Sequence, residues 1–165
     1  MSFVCSICGE THDALRAWAR GRPDHWIGLS LEQREHGACN DDLCRTPDGY
    51  HFVRAVIEMP LLGGPEPTFQ LGVWSLLGPA DYDRYIDTFD HDDQSKLGPM
   101  PGLLANEVSG FPGSRALKVR LLPQDHGQRP FLQLAPSDHP LAVAQRSGIS
   151  FAKAHQLIYS DEVRL

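Results

Sequence analysis

Four cysteines carry the clearest chemical signal in this sequence. Cys5 and Cys8 are separated by two residues, and Gly9 follows directly. This spacing lets one tight turn present two sulfurs to a single ion, and structural zinc commonly takes two such pairs. Cys39 and Cys44, with four residues between them, supply a looser second pair. The sequence therefore predicts a structural zinc site that fastens the N-terminal segment to the chain near Cys44.

The fourth ligand of the predicted site has two candidates. His12 lies four positions beyond Cys8 and competes with Cys39, because imidazole nitrogen binds zinc as readily as thiolate does. A redox pair and simple packing are the alternatives for these cysteines. A thioredoxin-like pair lies between a buried strand and a helix, whereas only four residues precede Cys5 and a glycine follows Cys8. No HExxH motif supports a catalytic zinc.

The most enzyme-like residues are Asp138 and His139, directly before Pro140. A histidine beside a carboxylate can transfer protons near neutral pH, and Arg54 on a predicted strand could add a positive charge. We favour the structural interpretation, in which Asp138 caps a helix that begins near Pro140. No catalytic residue is therefore assigned, and His139, Asp138 and Arg54 remain the candidates.

The elements that position these residues are paired strands with helices inserted between them. A Pro47-Asp48-Gly49 turn predicts a hairpin between the Cys44 segment and the next strand. Ser30 and Gln33 have the spacing of a capping box. The predicted strands are 50–59, 68–77, 114–122 and 130–135, and the predicted helices are 30–36, 79–89, 138–148 and 150–158. Residues 91–113 are predicted to be irregular.

This order predicts an α+β fold with a mainly antiparallel sheet, a few helices and an N-terminal zinc-knuckle region. We expect a single domain over 1–165, in which 1–45 is the zinc-stapled subregion and 46–165 is the α+β core. Alternation along the strand 50–59 places Phe52, Arg54, Val56 and Glu58 on one face, with Val53, Ala55, Ile57 and Met59 on the other. Gly72 indicates a bulge or a close backbone approach.

Composition narrows the class of protein. The chain has 165 residues, 41% hydrophobic and 22% charged, with a formal net charge of −6. Its scarce lysines and lack of a basic stripe disfavour nucleic acid as a partner. No apolar run approaches the ~20 residues that cross a bilayer, and the first residues do not form a secretory signal. We therefore expect a cytoplasmic protein without a membrane partner, in which reduced thiols favour metal over disulfides.

Several short motifs together resemble one bacterial family, the domain-of-unknown-function family 2199. They are Cys5-x-x-Cys8-Gly9-x-x-His12, Asp42-Leu43-Cys44, Phe52-Val53-Arg54, Gly72-Val73-Trp74-Ser75, Gly102-x-Leu104-x-Asn106, Arg129-Pro130, Asp138-His139-Pro140-Leu141-Ala142 and Gln145-Arg146-x-Gly148-Ile149. The resemblance implies a small cytoplasmic bacterial protein with zinc held by Cys5, Cys8, His12 and Cys44. It implies no reaction. Cys39 departs from the family pattern and stays the rival of His12.

The function expected from the sequence is binding without catalysis. A zinc-stapled α+β domain would offer a sheet groove or an acidic face to a protein partner, as an immunity-type protein does when it masks a toxin. The acidic face is the segment 81–93, which carries six aspartates. The alternative is an enzyme of unknown substrate, such as a metal-assisted hydrolase that uses Asp138 and His139.

Overall fold

The structure is a computed structural model that describes residues 3–4, 9–12 and 18–160. In chain order its strands and helices are β1 (Phe3–Val4), β2 (Thr11–His12), β3 (Trp18–Ala19), α1 (Asp24–Ile27), α2 (Leu31–Glu35), β4 (Ala38–Cys39), β5 (Leu43–Arg45), β6 (His51–Leu62), β7 (Thr68–Leu77), α3 (Pro79–Asp87), a 3-10 helix (Gln94–Leu97), β8 (Met100–Leu104), β9 (Lys118–Leu122), β10 (Phe131–Leu134), α4 (Pro140–Ser147), β11 (Ile149–Ser150) and α5 (Phe151–Ser160). The α+β class predicted from the sequence is confirmed.

Five strands close on themselves to form a barrel. β6 to β10 follow one another in antiparallel pairs, and β10 returns to β6 in a parallel pair. An odd number of strands in this up-and-down order can close only if one pair is parallel. That closing seam is short: Phe131 lies opposite Val56, and the Val56 N–H donates to the Pro130 carbonyl at 2.9 Å.

Beyond this point α4 covers the edge of β10. The Gln145 side chain accepts a hydrogen bond from the Leu134 N–H and donates one to the Leu132 carbonyl, both at 2.8 Å. These are the backbone groups that a further strand would have paired, so one amide side chain takes the place of a strand there. β11 then pairs in parallel with the end of β6.

The main hydrophobic core is built on the inner face of the barrel. Val53, Ala55, Ile57 and Met59 of β6 are all buried in it, which confirms the alternation predicted from the sequence. The helices α3, α4 and α5 pack onto this core through the buried side chains Tyr82, Tyr85, Leu141, Ala142, Ala144, Ala154, Leu157 and Ile158.

The N-terminal part of the described chain covers the outer face of the barrel. β3 pairs in parallel with β7, and the β4–β5 hairpin extends the sheet beside β6. A second, smaller hydrophobic cluster forms beneath this cover. Its buried members are Cys44, Phe52, Trp74 and Ala105, with Trp26 and Cys39 packed against them.

Several local predictions are confirmed. The hairpin that joins β5 to β6 is present, and Ser30 and Gln33 form the capping box of α2. Gly72 marks a close approach rather than a bulge, because a Cβ there would lie 3.0 Å from the Ala19 Cβ and 3.2 Å from Arg54 Nη2. The side chain of Ser150 accepts from the Lys153 N–H at the start of α5.

Other predictions need correction. β8 lies inside the segment predicted to be irregular, and β6 continues through Pro60 to Leu62 instead of ending at Met59. The cap of α4 is His139 rather than Asp138, because the ring of His139 accepts from the Leu141 N–H. Over the part of the chain that the structure describes, no helix combines the length and apolar character needed to cross a bilayer.

Candidate functional site

The predicted zinc ligands fall into two groups. Cys5, Cys8 and the His12 side chain lie outside the described residues, whereas Cys39 and Cys44 face each other across the β4–β5 hairpin. Cys44 is fully buried and Cys39 is half-buried. Among the residues that the structure describes, no group of three His, Cys, Asp or Glu side chains could hold a metal ion. The N-terminal zinc-knuckle therefore stays a prediction.

The two described cysteines lie directly opposite each other in the β4–β5 hairpin. A hydrogen bond from the Cys44 thiol lowers the pKa of Cys39, and the nearby guanidinium groups of Arg22 and Arg34 lower it further, against the effect of burial. The same hydrogen bond, together with burial, raises the pKa of Cys44. Two cysteines that face each other on neighbouring strands can occupy neighbouring corners of a tetrahedral zinc site. The His12 side chain lies outside the described residues, so the choice between His12 and Cys39 as fourth ligand stays a prediction.

Both ring nitrogens of His139 lie within hydrogen-bond distance of backbone groups. Its Nδ1 accepts a hydrogen bond from the Leu141 N–H at 3.1 Å, so the proton resides on Nε2, which lies 3.0 Å from the Pro112 carbonyl oxygen. Neither ring nitrogen is left to transfer a proton. Asp138 is exposed, and no contact in the described part of the chain joins His139 to Arg54. The geometry gives the hydrolase that uses Asp138 and His139 no support.

Arg54 lies on the outer face of β6, against Trp74. Its guanidinium carbon is 5.7 Å from the centre of the Trp74 ring, and its buried Nε has no hydrogen-bond partner among the described residues. Burial lowers the pKa of Arg54, and the positive charge of Arg129 adds to this effect, while Asp42 opposes it. Asp42 is itself paired with Arg129 at 3.1 Å. Arg54 therefore packs as a cation on an aromatic face.

An open, largely apolar groove lies on the outer surface of the barrel, and we call it the Tyr50 groove. It consists of two adjoining cavities of about 210 and 560 Å³ that share Tyr50, Leu76 and Leu103. Tyr50 is 46% exposed and Leu103 is 36% exposed. These three side chains come from the turn before β6, from β7 and from β8. Together they form a solvent-exposed apolar surface, which we call the apolar bed.

Each cavity of the Tyr50 groove has a cation on its wall. Arg115 lines the smaller cavity and Lys118 lines the larger one, and both side chains are exposed. Neither forms an ion pair or a side-chain hydrogen bond with any residue that the structure describes. These two cations are available to a ligand that carries negative charge.

A histidine–aspartate pair also borders the groove. His25 Nε2 lies 2.8 Å from Asp48 Oδ2, and the His25 ring meets the Tyr50 ring edge to face at 4.9 Å. The Thr46 side chain and His25 both hydrogen-bond to Asp48 and lower its pKa. Sequence reasoning missed this pair, because Asp48 was assigned to a turn and His25 is 23 positions away. No motif spacing connects the two.

The acidic segment 81–93 is partly neutralised by its own neighbours. Asp81 pairs with Arg84 at 3.1 Å and Asp93 pairs with Lys96 at 2.9 Å, each three residues apart. The pKa of Asp93 is lowered by its hydrogen bond to Lys96. These local pairs reduce the charge that the segment can offer to a basic partner.

Together these features define an α+β protein with a closed five-stranded barrel and an open apolar groove flanked by cations. Residues 4–149 match the model of a family described as "Uncharacterized protein conserved in bacteria (DUF2199)". The match covers most of the chain, so the protein belongs to this bacterial family, as the sequence motifs indicate. Comparison with curated proteins and with solved structures gave no match.

Proposed function

We propose that this protein is a cytoplasmic binding module without catalytic activity, and that its Tyr50 groove takes a peptide segment of a protein partner. The segment would present an apolar side chain next to carboxylates. The observation that carries the proposal is an exposed apolar bed beside two cations, Arg115 and Lys118, that pair with none of the described residues.

The apolar bed supplies the driving force. Tyr50, Leu76 and Leu103 are held by the barrel strands and the turn before β6, so they need little reorganisation to receive a ligand. Burying exposed apolar surface contributes roughly 25 cal/mol per Å² before the costs of association. An aromatic side chain beside such a bed is typical of binding surfaces.

The cations supply the selectivity. The chain as a whole carries a formal charge of −6, which repels an acidic ligand everywhere except near a local excess of positive charge. Arg115 and Lys118 provide that excess at the two ends of the bed, so a carboxylate-bearing segment is directed to the groove. The interaction of exposed charges weakens with salt, and binding should weaken with it.

The zinc site has a structural part in this proposal. Cys5, Cys8 and Cys44, with Cys39 or His12 as fourth ligand, would fasten the N-terminal segment against the hairpin that covers the barrel. An immunity-type role, in which the partner is a toxin, is one form of the same proposal. In that case the groove rather than the acidic segment 81–93 would be the contact surface, because part of that segment is paired within the chain.

The proposal is tested with two blocked peptides, acetyl-Glu-Glu-Leu-Phe-Glu-Glu-amide and its counterpart with glutamine in place of every glutamate. Binding is followed by titration calorimetry and by NMR shifts of the Tyr50 and Leu103 side chains. We expect the acidic peptide to bind more tightly, and the double variant Arg115→Gln/Lys118→Gln to weaken it roughly tenfold, since each exposed ion pair contributes up to about 1 kcal/mol.

Lys96→Gln is the matched control, because Lys96 is an exposed cation that pairs with Asp93 away from the groove. It should leave the binding of both peptides unchanged. Equal binding of the two peptides, or NMR shifts that leave Tyr50 and Leu103 unmoved, would refute the proposal.

A second candidate function is hydrolysis by the pair His25 and Asp48. Asp48 holds the Nε2 side of the His25 ring at 2.8 Å, and such an arrangement leaves Nδ1 to accept a proton from water. Arg115 lines the same cavity as His25 and could bind an anionic group. Turnover of nitrophenyl esters or phosphates that His25→Gln abolishes would favour this alternative, whereas equal rates for both proteins would exclude it.

A further inference from the structure

The Cys39–Cys44 pair occupies a special position in the β4–β5 hairpin. The Asn40 N–H donates to the Leu43 carbonyl at 2.9 Å, so Asn40 and Leu43 are the hydrogen-bonded pair next to the turn. Cys39 and Cys44, one step further, therefore form a non-hydrogen-bonded pair. Residues at such a pair approach most closely, with Cα atoms about 4.5 Å apart. This separation lies inside the range that a disulfide accepts.

The two cysteines differ in their access to solvent. Cys39 is half-buried and lines a cavity of about 350 Å³ between the hairpin and α3, together with Asn40, Arg45 and Ile86. Cys44 has no exposed surface and lies in the small cluster with Phe52 and Trp74. Cys39 is therefore the more accessible of the two cysteines to a reagent from solution, whereas Cys44 is shielded.

A hairpin at the edge of the sheet can also adjust to a new bond. β4 is the last strand in the order of the sheet, so its outer side pairs with no other described strand. Its contact with the rest of the sheet is the short pairing with β5. Closing a bond between the two facing side chains therefore requires movement of a two-residue edge strand and not of the barrel.

We propose that, when no zinc is bound, Cys39 and Cys44 form a thiol–disulfide exchange site for low-molecular-weight disulfides such as oxidised glutathione. The Cys39 thiolate attacks one sulfur of the reagent, and a mixed disulfide forms while one thiolate leaves. The Cys44 thiol loses its proton to that leaving thiolate and attacks the Cys39 sulfur, which releases the second thiolate, and this takes a proton from solvent. Two protein thiols are oxidised by two electrons, and one disulfide is reduced to two thiols.

The sequence permits a direct test in the full chain. Trypsin cuts after Arg34 and Arg45, so the peptide Glu35–Arg45 carries Cys39 and Cys44 and no other cysteine. The folded protein, freed of zinc by a chelator, is incubated with oxidised glutathione, its free thiols are alkylated, and the peptide is weighed by mass spectrometry. We expect it to lack both alkyl groups and to be lighter than the reduced peptide by two hydrogen atoms. A peptide alkylated at both cysteines would overturn the proposal.

The variants define the order of the steps. Cys44→Ser should accumulate one glutathionyl group on Cys39, whereas Cys39→Ser should leave Cys44 unmodified in the folded protein. Glutathione on Cys44 in the second variant would overturn the assignment of Cys39 as the attacking thiol. Cys5→Ser is the control for exchange with the other cysteines, and it should leave the Cys39–Cys44 disulfide intact. The wild-type result stands even if a variant fails to fold.

Discussion

Asn106 and Asp24 join the end of the barrel to the segment that covers it, through a hydrogen bond of 3.0 Å between Nδ2 and Oδ1. Asn106 is fully buried and uses its whole amide. Its Oδ1 accepts from the Trp74 N–H at 2.9 Å, and Nδ2 also donates to the Arg22 carbonyl at 3.0 Å. Asp24 in turn accepts from the Glu107 N–H at 2.7 Å. One amide side chain thus connects β7, the chain before α1, and α1 itself.

Replacing Asn106 by alanine should lower the free energy of unfolding by about 1 to 3 kcal/mol, because the Trp74 N–H would be left buried without a partner. Urea denaturation measures the loss. Gln133→Ala on β10 is the control, since Gln133 is exposed and should change the free energy by less than about 0.5 kcal/mol. Equal stability of the two variants would show that the hydrogen bonds of Asn106 to β7 and to the segment around α1 do not stabilise the fold.

Gly102 tests the close packing of β7 on β8. A Cβ at this position would collide with Ser75 Oγ and the Leu76 carbonyl oxygen. Gly102→Ala should therefore destabilise the protein by about 1 to 3 kcal/mol, as overpacking does. Gly21→Ala places the same methyl group where no atom lies within 4 Å. It should leave the melting temperature within a degree or so of the wild type, and a similar loss in both variants would contradict the packing described here.

Glu107 should make stability depend on pH. Burial opposes its ionisation, but hydrogen bonds from Ser114 and from the Arg115 and Gly113 N–H groups outweigh burial and lower the pKa of Glu107 from 4.5. A lowered folded-state pKa stabilises the fold above the unfolded value, and that contribution is lost as the pH falls through the folded value.

Glu107→Gln should therefore be less stable than wild type at pH 7, by at most about 1 kcal/mol because solvent screens this exposed group. The difference should be smaller at about pH 2, because protonation of the wild-type carboxylate removes its charge as the pH falls. Thermal melting at both pH values measures it. A difference that is the same at both would mean that the charge of Glu107 has no part in the effect.

The zinc proposal predicts about one zinc per chain in the reduced protein. Elemental analysis should find that Cys39→Ser lowers the zinc content more than His12→Ala does, because Cys39 lies directly opposite Cys44 in the β4–β5 hairpin. Removing zinc with a chelator should lower the melting temperature. Zinc-free protein with an unchanged melting temperature would exclude the site, and greater loss in His12→Ala would make His12 the fourth ligand.

The fold could be predicted where local signals agree with the final packing. β7 begins and ends where its apolar residues predict, and α3 begins at Pro79 as its sequence indicates. β8 could not be predicted, because Pro101 and Gly102 resemble a loop and become a strand only between β7 and β9. Closure of the barrel depends on Phe131 meeting Val56, and no local pattern encodes a contact between residues so distant in the chain.

The candidate site was harder to predict than the fold. The apolar side chains of the Tyr50 groove, Tyr50, Leu76 and Leu103, belong to three separate segments of the chain. Its two cations are Arg115, which precedes β9, and Lys118, which is the first residue of β9. His139 was a candidate from the sequence, but both of its ring nitrogens form hydrogen bonds within the fold. His25 was not a candidate, because its partner Asp48 is distant in the sequence and lies beside it only in the folded chain. Surfaces assembled from distant segments are visible only in three dimensions.

The short seam between β6 and β10 has a consequence for how the barrel moves. Every other neighbouring pair in the barrel is held by several backbone positions, whereas this one is held at Val56 and Phe131 and then by the side chain of Gln145. Local opening follows the weakest boundary. Amide hydrogen exchange should therefore be faster at Val56 than at the central amides of β7. We expect the barrel to open first at the seam between β6 and β10, which gives a curved open sheet, and to unfold only afterwards.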